Sequence, residues 1–166
     1  SNYEKKQQYI DDLISTLTKD IEQIESLLDQ LYVSEEYIND IQNDIDSKHI
    51  LLSDKEVINK LIEIEVGFSF FPKDGIFNQM ISTGTFELIN NRDLKMNLLE
   101  MYNHQKERNN ATSKEIDEFN LSFRNLPYSK FRIRFDYNLL EGKFYGTRTL
   151  NSFRFNQDFY FSDDFY

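Results

Sequence analysis

Apolar residues in the first third of the chain recur at alternating steps of four and three: Ile10, Ile14, Leu17, Ile21, Ile24, Leu28 and Leu31. An average step near 3.5 predicts a helix with one continuous apolar seam, because that spacing returns side chains to the same face. The phase skips at Glu35 and resumes at Ile38 and Ile45, with Ile41 beside it. The pattern reads as one helix from about Tyr3 to His49, with Ser34 as the place for a kink. At 1.5 Å per residue it would span roughly 70 Å. Lys48 and His49 put positive charge at its C-terminus, where the helix dipole favours it. A seam of this length needs a companion helix.

The next start signal is complete. Ser53 and Glu56 have capping-box spacing, and Leu52 and Val57 hold the two positions of a hydrophobic staple, so a second helix is predicted over 53–66. Gly67 and the apolar loop Phe68-Ser69-Phe70-Phe71-Pro72 stop it. A short helix over 74–84 follows, with Asp74 as N-cap and Gly84 as the left-handed residue past its end. Asn90 is read as the cap of a fourth helix over 90–126, with Ile89 and Leu94 as its staple and Pro127 as its stop. Its seam runs through Leu94, Leu98, Met101, Gln105, Asn109, Thr112, Ile116, Phe119, Phe123 and Leu126 without a slip. A break at Asn109-Asn110, with Thr112 and Glu115 capping a new helix, is the alternative.

From Tyr128 the character changes, and 13 of the 25 aromatic residues lie in the last 39 positions. Phe131, Ile133 and Phe135 alternate with Arg132, Arg134 and Asp136, a period of two that predicts a strand. Glu141-Gly142 would turn it back, with Phe153 and Phe155 on a returning strand. The predicted fold is mostly α. A long N-terminal helix packs antiparallel against a long return helix, two short helices lie between them, and an aromatic C-terminal segment over 128–166 has minor β character. All 166 residues form one domain.

Composition narrows the chemistry. The chain has no Cys, and so no disulfide, thiolate ligand or thiol nucleophile. Residues 1–66 carry 16 acidic and 6 basic side chains, whereas 67–166 carry 13 of each. An acidic first half repels phosphate backbones, so nucleic acid is not an expected partner. No run of apolar residues is long enough to span a bilayer. The five glycines build no phosphate-binding loop of either common type, and neither G-x-S-x-G nor H-E-x-x-H is present. The chain reads as non-enzymatic, with no cofactor and no metal.

The segment Phe71–Tyr102, centred on Ser82, Gly84, Leu88, Ile89, Asn91 and Leu94 in the pattern S-x-G-x-x-x-L-I-x-N-x-x-L, resembles an uncharacterised family of bacterial single-pass membrane proteins, domain of unknown function family 6090. The family's residues before the short helix differ here, where Phe77 and Phe71 stand. The resemblance implies a transmembrane helix ahead of Tyr3, an inner-membrane location and a periplasmic soluble part. It brings no catalytic residues. The apolar end at Phe159-Tyr160-Phe161 is read as chain that continues past Tyr166.

Four constellations hold candidate chemistry. Glu100 and His104 share a helix face as a possible half of a metal site, though a solvated pair beside Glu107 and Arg108 is the favoured reading. The acidic residues of the first helix, Asp11 to Asp44, are spread along a rod and read as solvated surface. Lys130 to Phe135, with Arg148 and Arg154, resembles a nucleic-acid platform, which alternating strand geometry explains equally well. Gln105, Asn109 and Thr112 interrupt an apolar seam and are the candidate ligand-binding residues, lining a small pocket, fixing a register, or marking where the helix outruns its partner. The first functional expectation is a non-catalytic extracytoplasmic interaction module with a protein partner, self or other. The second is a ligand-sensing domain coupled to the membrane helix, and a carboxylate enzyme comes last.

Overall fold

The computed structural model describes residues 1–65, 70–139 and 146–166. The chain is mostly helical, in the order α1 (Asn2–Asp46), α2 (Asp54–Ile64), α3 (Gly75–Thr83), a 3₁₀ turn (Thr85–Leu88), α4 (Arg92–Leu99), a π-helical stretch (Glu100–Gln105), α5 (Lys106–Lys130), β1 (Arg134–Leu139), β2 (Gly146–Ser152) and α6 (Gln157–Tyr160). It divides into two compact units, residues 1–27 with 69–114 and residues 28–68 with 115–166. Each has its own core.

α1 runs unbroken because positions 2–46 hold no Gly or Pro. Its end is abrupt and uses no glycine. Lys48 and His49 both sit at φ 61°, in the left-handed region, and the His49 N–H donates to the Asp44 carbonyl at 2.7 Å. α2 starts on the predicted capping box: the Glu56 N–H donates to the Ser53 hydroxyl and the Ser53 N–H to the Glu56 carboxylate. Gly84 takes φ 74° at the end of α3, as expected. The cap of α4 is Asn91 rather than Asn90, its side chain accepting from the Leu94 N–H at 3.0 Å.

In the first unit, Leu13 of α1 packs with Phe77, Met80, Phe86, Ile89, Leu98 and Tyr102. Pairings fix the directions. Gln23 accepts from Phe71 N–H and Asp20 from Lys73 N–H, so the chain descends α1 as it climbs into α3. Asn109 then meets Phe70, Lys106 pairs with Asp74, and Tyr102 stacks on Phe77. The antiparallel neighbour of α1 here is therefore α3. The later helix is antiparallel to α3 and runs with α1, which corrects the expected antiparallel return. The physical reason is the short α3–α4 connection, which makes those two the natural hairpin.

In the second unit the antiparallel partner of α1 is α2, through Ser34 to the Ile64 carbonyl (2.7 Å) and Lys60 to Asp40 (3.0 Å). Their core joins Ile41, Val57, Ile58, Leu61 and Ile62 to Phe131, Phe159 and Tyr160. Phe131 is fully buried and meets the rings of Phe155, Phe159 and Phe165 at centroid separations of 5.3–5.6 Å. Glu65, nearly buried, is held by a two-pronged Arg124 and by Arg148 at 3.2 Å. Pro127 lies inside α5 and does not stop it. The helix ends instead at Lys130, and Arg132, φ 46°, reverses the chain just past it, where the Ile133 N–H closes the turn onto the Tyr128 carbonyl at 3.0 Å. The two strands pair antiparallel, Phe135 with Leu150 and Tyr137 with Arg148. The strand begins later than Phe131 because Phe131 and Ile133 are taken into the helical core. Phe153 and Phe155 lie past the end of β2, and the Glu141-Gly142 turn falls outside the described residues.

Candidate functional site

The π-helical stretch decides where the predicted ligand-binding residues go. A π turn accommodates one extra residue, which rotates everything after it by about a residue on the helix face. Among the inward positions Tyr102 and Ser113 take the places expected for Met101 and Thr112, Leu98, Asn109 and Ile116 keep theirs, and Phe119 is left 67% exposed. Gln105 is exposed and donates to Glu100 at 2.9 Å. Thr112 is exposed, and its neighbour Ser113 takes the buried place, with no hydrogen-bond partner for its hydroxyl among the described residues. Asn109 alone faces inward, donating to the Phe70 carbonyl at 2.8 Å. The three do not converge. Glu100 and His104 are both exposed, and no group of three or more metal-ligating side chains exists among the described residues.

The expected seam of α1 is also rotated. In the first unit the inward positions are Leu13, Asp20, Gln23 and Leu27, three of them a heptad apart and two of them polar. Asp20 accepts from the Lys73 N–H at 2.9 Å and from the Tyr102 hydroxyl at 3.3 Å. Burial lifts its carboxyl above the usual range despite those bonds, and burial beside Asp20 pushes Tyr102 up to about 12. Part of the apolar seam turns outward, with Ile14 58% exposed and Ile21 54%, while Leu17 stays packed against the core. Glu22 and Glu25 lie along one side of that stripe on the helical wheel and form no ion pair among the described residues.

In the second unit a polar network was missed by sequence reasoning. Asp44, with its side chain fully buried, accepts from the Leu51 and Leu52 N–H groups (2.8 and 2.9 Å), from the Tyr160 hydroxyl (2.6 Å) and from His49 Nδ1 (2.6 Å). The other imidazole nitrogen, Nε2, meets Asp54 at 2.7 Å, and the ring stacks on Phe155 at 4.9 Å. Burial disfavours charge on both groups. Four hydrogen bonds nevertheless hold Asp44 below the usual carboxylate range, and two carboxylates lift His49 above the usual imidazole range. The only signal in the sequence is a histidine flanked by aspartates five residues away on each side. Chemically the network is an ionic clasp between the end of α1, the start of α2 and α6.

No family model, curated protein or solved structure matches the chain.

Proposed function

We propose that this chain is a non-catalytic interaction module of a membrane-anchored bacterial protein, and that the outward stripe of α1 in the first unit receives an amphipathic partner helix flanked by basic residues. The exposure of Ile14 and Ile21, one heptad apart on a helix whose opposite side is already packed, carries the reading. Isolated surface hydrophobes are ordinary, but a stripe at three-and-four spacing is the surface another helix fills. Glu22 and Glu25 select the occupant, since their unpaired charge favours Lys or Arg on the incoming helix and repels an acidic one. A second copy of α1 would bring the same acids to the interface. The anchor and the periplasmic position rest on the resemblance of residues 71–102. No helix among the described residues is long and apolar enough to cross a membrane, so on this reading the anchor is a segment outside these 166 residues.

The test is fluorescence anisotropy with two labelled synthetic helices that share a Leu/Ile seam and differ only in flanks, Lys/Arg or Glu. The basic helix should bind, and binding should weaken with salt. The double variant I14S/I21S should lose about thirtyfold, since re-exposing two half-buried isoleucines costs about 2 kcal/mol. Equal binding of both helices, no binding of either, or indifference to I14S/I21S would refute the assignment. So would a homodimer in sedimentation equilibrium that the same variant dissolves, which would give the face to a second copy.

A further inference from the structure

Three basic side chains of the second unit have internal work, whereas Lys48, Lys55, Lys130, Arg132, Arg134 and Arg154 form no ion pair among the described residues. Lys60 pairs with Asp40, and Arg124 and Arg148 converge on Glu65. Lys130, Arg132 and Arg154 differ. All three are exposed, and none forms an ion pair or side-chain hydrogen bond among the described residues. Yet they share the wall of one open concavity of about 480 Å³ at the end of α5, together with Ser129, Gln157 and Asp158. The Arg154 N–H donates to the Phe131 carbonyl at 2.7 Å, which pins the segment carrying Arg154 against the turn carrying Arg132.

The backbone supplies a second, independent observation. Arg132 occupies φ 46° as the left-handed residue just past the end of α5, a place where glycine is the unstrained choice. Its own N–H donates to the Ser129 carbonyl at 3.2 Å, so the turn would close with glycine just as well. The strain of a Cβ there is offset by no ion pair or hydrogen bond of the guanidinium among the described residues. Non-glycine residues held in this region cluster where a side chain serves a ligand.

We propose that Lys130, Arg132 and Arg154 bind a phosphate monoester in this concavity. Three cations against Asp158 leave a local charge of two, which matches the nearly doubly ionised phosphate at neutral pH. Two guanidinium forks suit its paired oxygens, and the ammonium adds a third donor. Carboxylates carry half that charge and match less well. The site is independent of the helix-binding face, since every residue of it lies in the second unit.

The test is titration of the whole chain with inorganic phosphate at constant ionic strength, followed by ¹⁵N NMR, with acetate as the carboxylate comparison. Saturable shifts at Ser129 and Gln157 are expected, with phosphate at least about tenfold tighter than acetate. R132G should weaken phosphate about tenfold or more while its melting temperature stays the same or rises, which separates loss of binding from loss of fold. R154Q should do likewise, D158N should tighten binding, and K114Q, away from the concavity, should change nothing. Flotation with vesicles containing phosphatidic acid distinguishes the source of the phosphate: R132G-sensitive flotation identifies a lipid headgroup, and its absence beside saturable phosphate binding identifies a free phosphorylated molecule. Shifts that do not saturate, equal response to acetate, or R132G and R154Q binding like the parent would overturn the proposal.

Discussion

Replacing His49 by alanine opens the clasp at the end of α1 without touching either long helix. Two carboxylate bonds and two ring contacts, to Phe155 and Tyr160, vanish. The bond to fully buried Asp44 is charge-assisted and worth about 1.5–3 kcal/mol. The bond to Asp54, whose side chain is 54% exposed, is worth under about 1 kcal/mol after solvent screening. The stack on Phe155 adds about 0.5–1 kcal/mol. Asp44 keeps Tyr160 and two backbone N–H groups, so no buried carboxylate is orphaned and the loss should stop near 3 kcal/mol. For a chain of this size that is a fall in melting temperature of about 9 °C.

The pH dependence identifies the cause. His49 titrates above its ordinary 6.5 in the folded chain, so its contribution is complete below pH 6.5 and declines as pH rises through the folded value. A neutral imidazole has one N–H for two carboxylates, so one of its two bonds goes. Asp44 titrates below its ordinary 3.8, so its share is present above 3.8 and is lost as pH falls through the folded value. Urea unfolding followed by tyrosine near-ultraviolet circular dichroism should therefore show the largest gap between parent and H49A between about pH 4.5 and 6.5, narrowing above. An unchanged urea midpoint in H49A, or a gap constant from pH 5.5 to 9, would refute the reasoning.

Two further substitutions probe the first unit. Burial raises the Asp20 carboxyl, so the benefit of its protonated form is lost as pH rises through the folded value; D20N, which keeps an acceptor for Lys73 N–H, should gain about 1 kcal/mol at pH 8, while D20A should lose about 2 kcal/mol, both read from urea midpoints. Deleting exposed His104 removes the residue that the wide turn accommodates. The run Arg92–Lys130 should become α-helical throughout at a cost under about 1 kcal/mol, and loss of cooperative unfolding in the deletion would show that the π turn is required.

Helical content was legible because the three-and-four spacing of α1 and the Ser53–Glu56 cap are local signals. Which face is buried was not, because periodicity gives an angle and not a neighbour. Leu13, Asp20 and Leu27 repeat at seven as faithfully as Ile14, Ile21 and Leu28 do, and hydropathy alone prefers the wrong set. The slip at Glu100–Gln105 left no mark in composition, so Gln105 and Thr112 were placed inward by extrapolation across it. The strand was foreseen in type and misplaced in extent, since Phe131 and Ile133 alternate like strand residues yet are captured by the core around Ile58. His49 was legible only as a charge near a helix end. Its two aspartates lie five residues away, a spacing that neither helix nor strand periodicity brings together.

Four of the polar side chains on the inner side of α1 bond to main-chain groups elsewhere: Asp20 to the amide of 73, Gln23 to that of 71, Asp44 to those of 51 and 52, and Ser34 to the carbonyl of 64. Every residue but proline offers such an amide, and every residue offers such a carbonyl. The helix thus gauges where neighbouring segments lie and is indifferent to which side chains they bear. Positions 51, 71 and 73 are free to drift through most of the amino-acid alphabet while the docking of those segments stays put, and proline is the substitution they forbid.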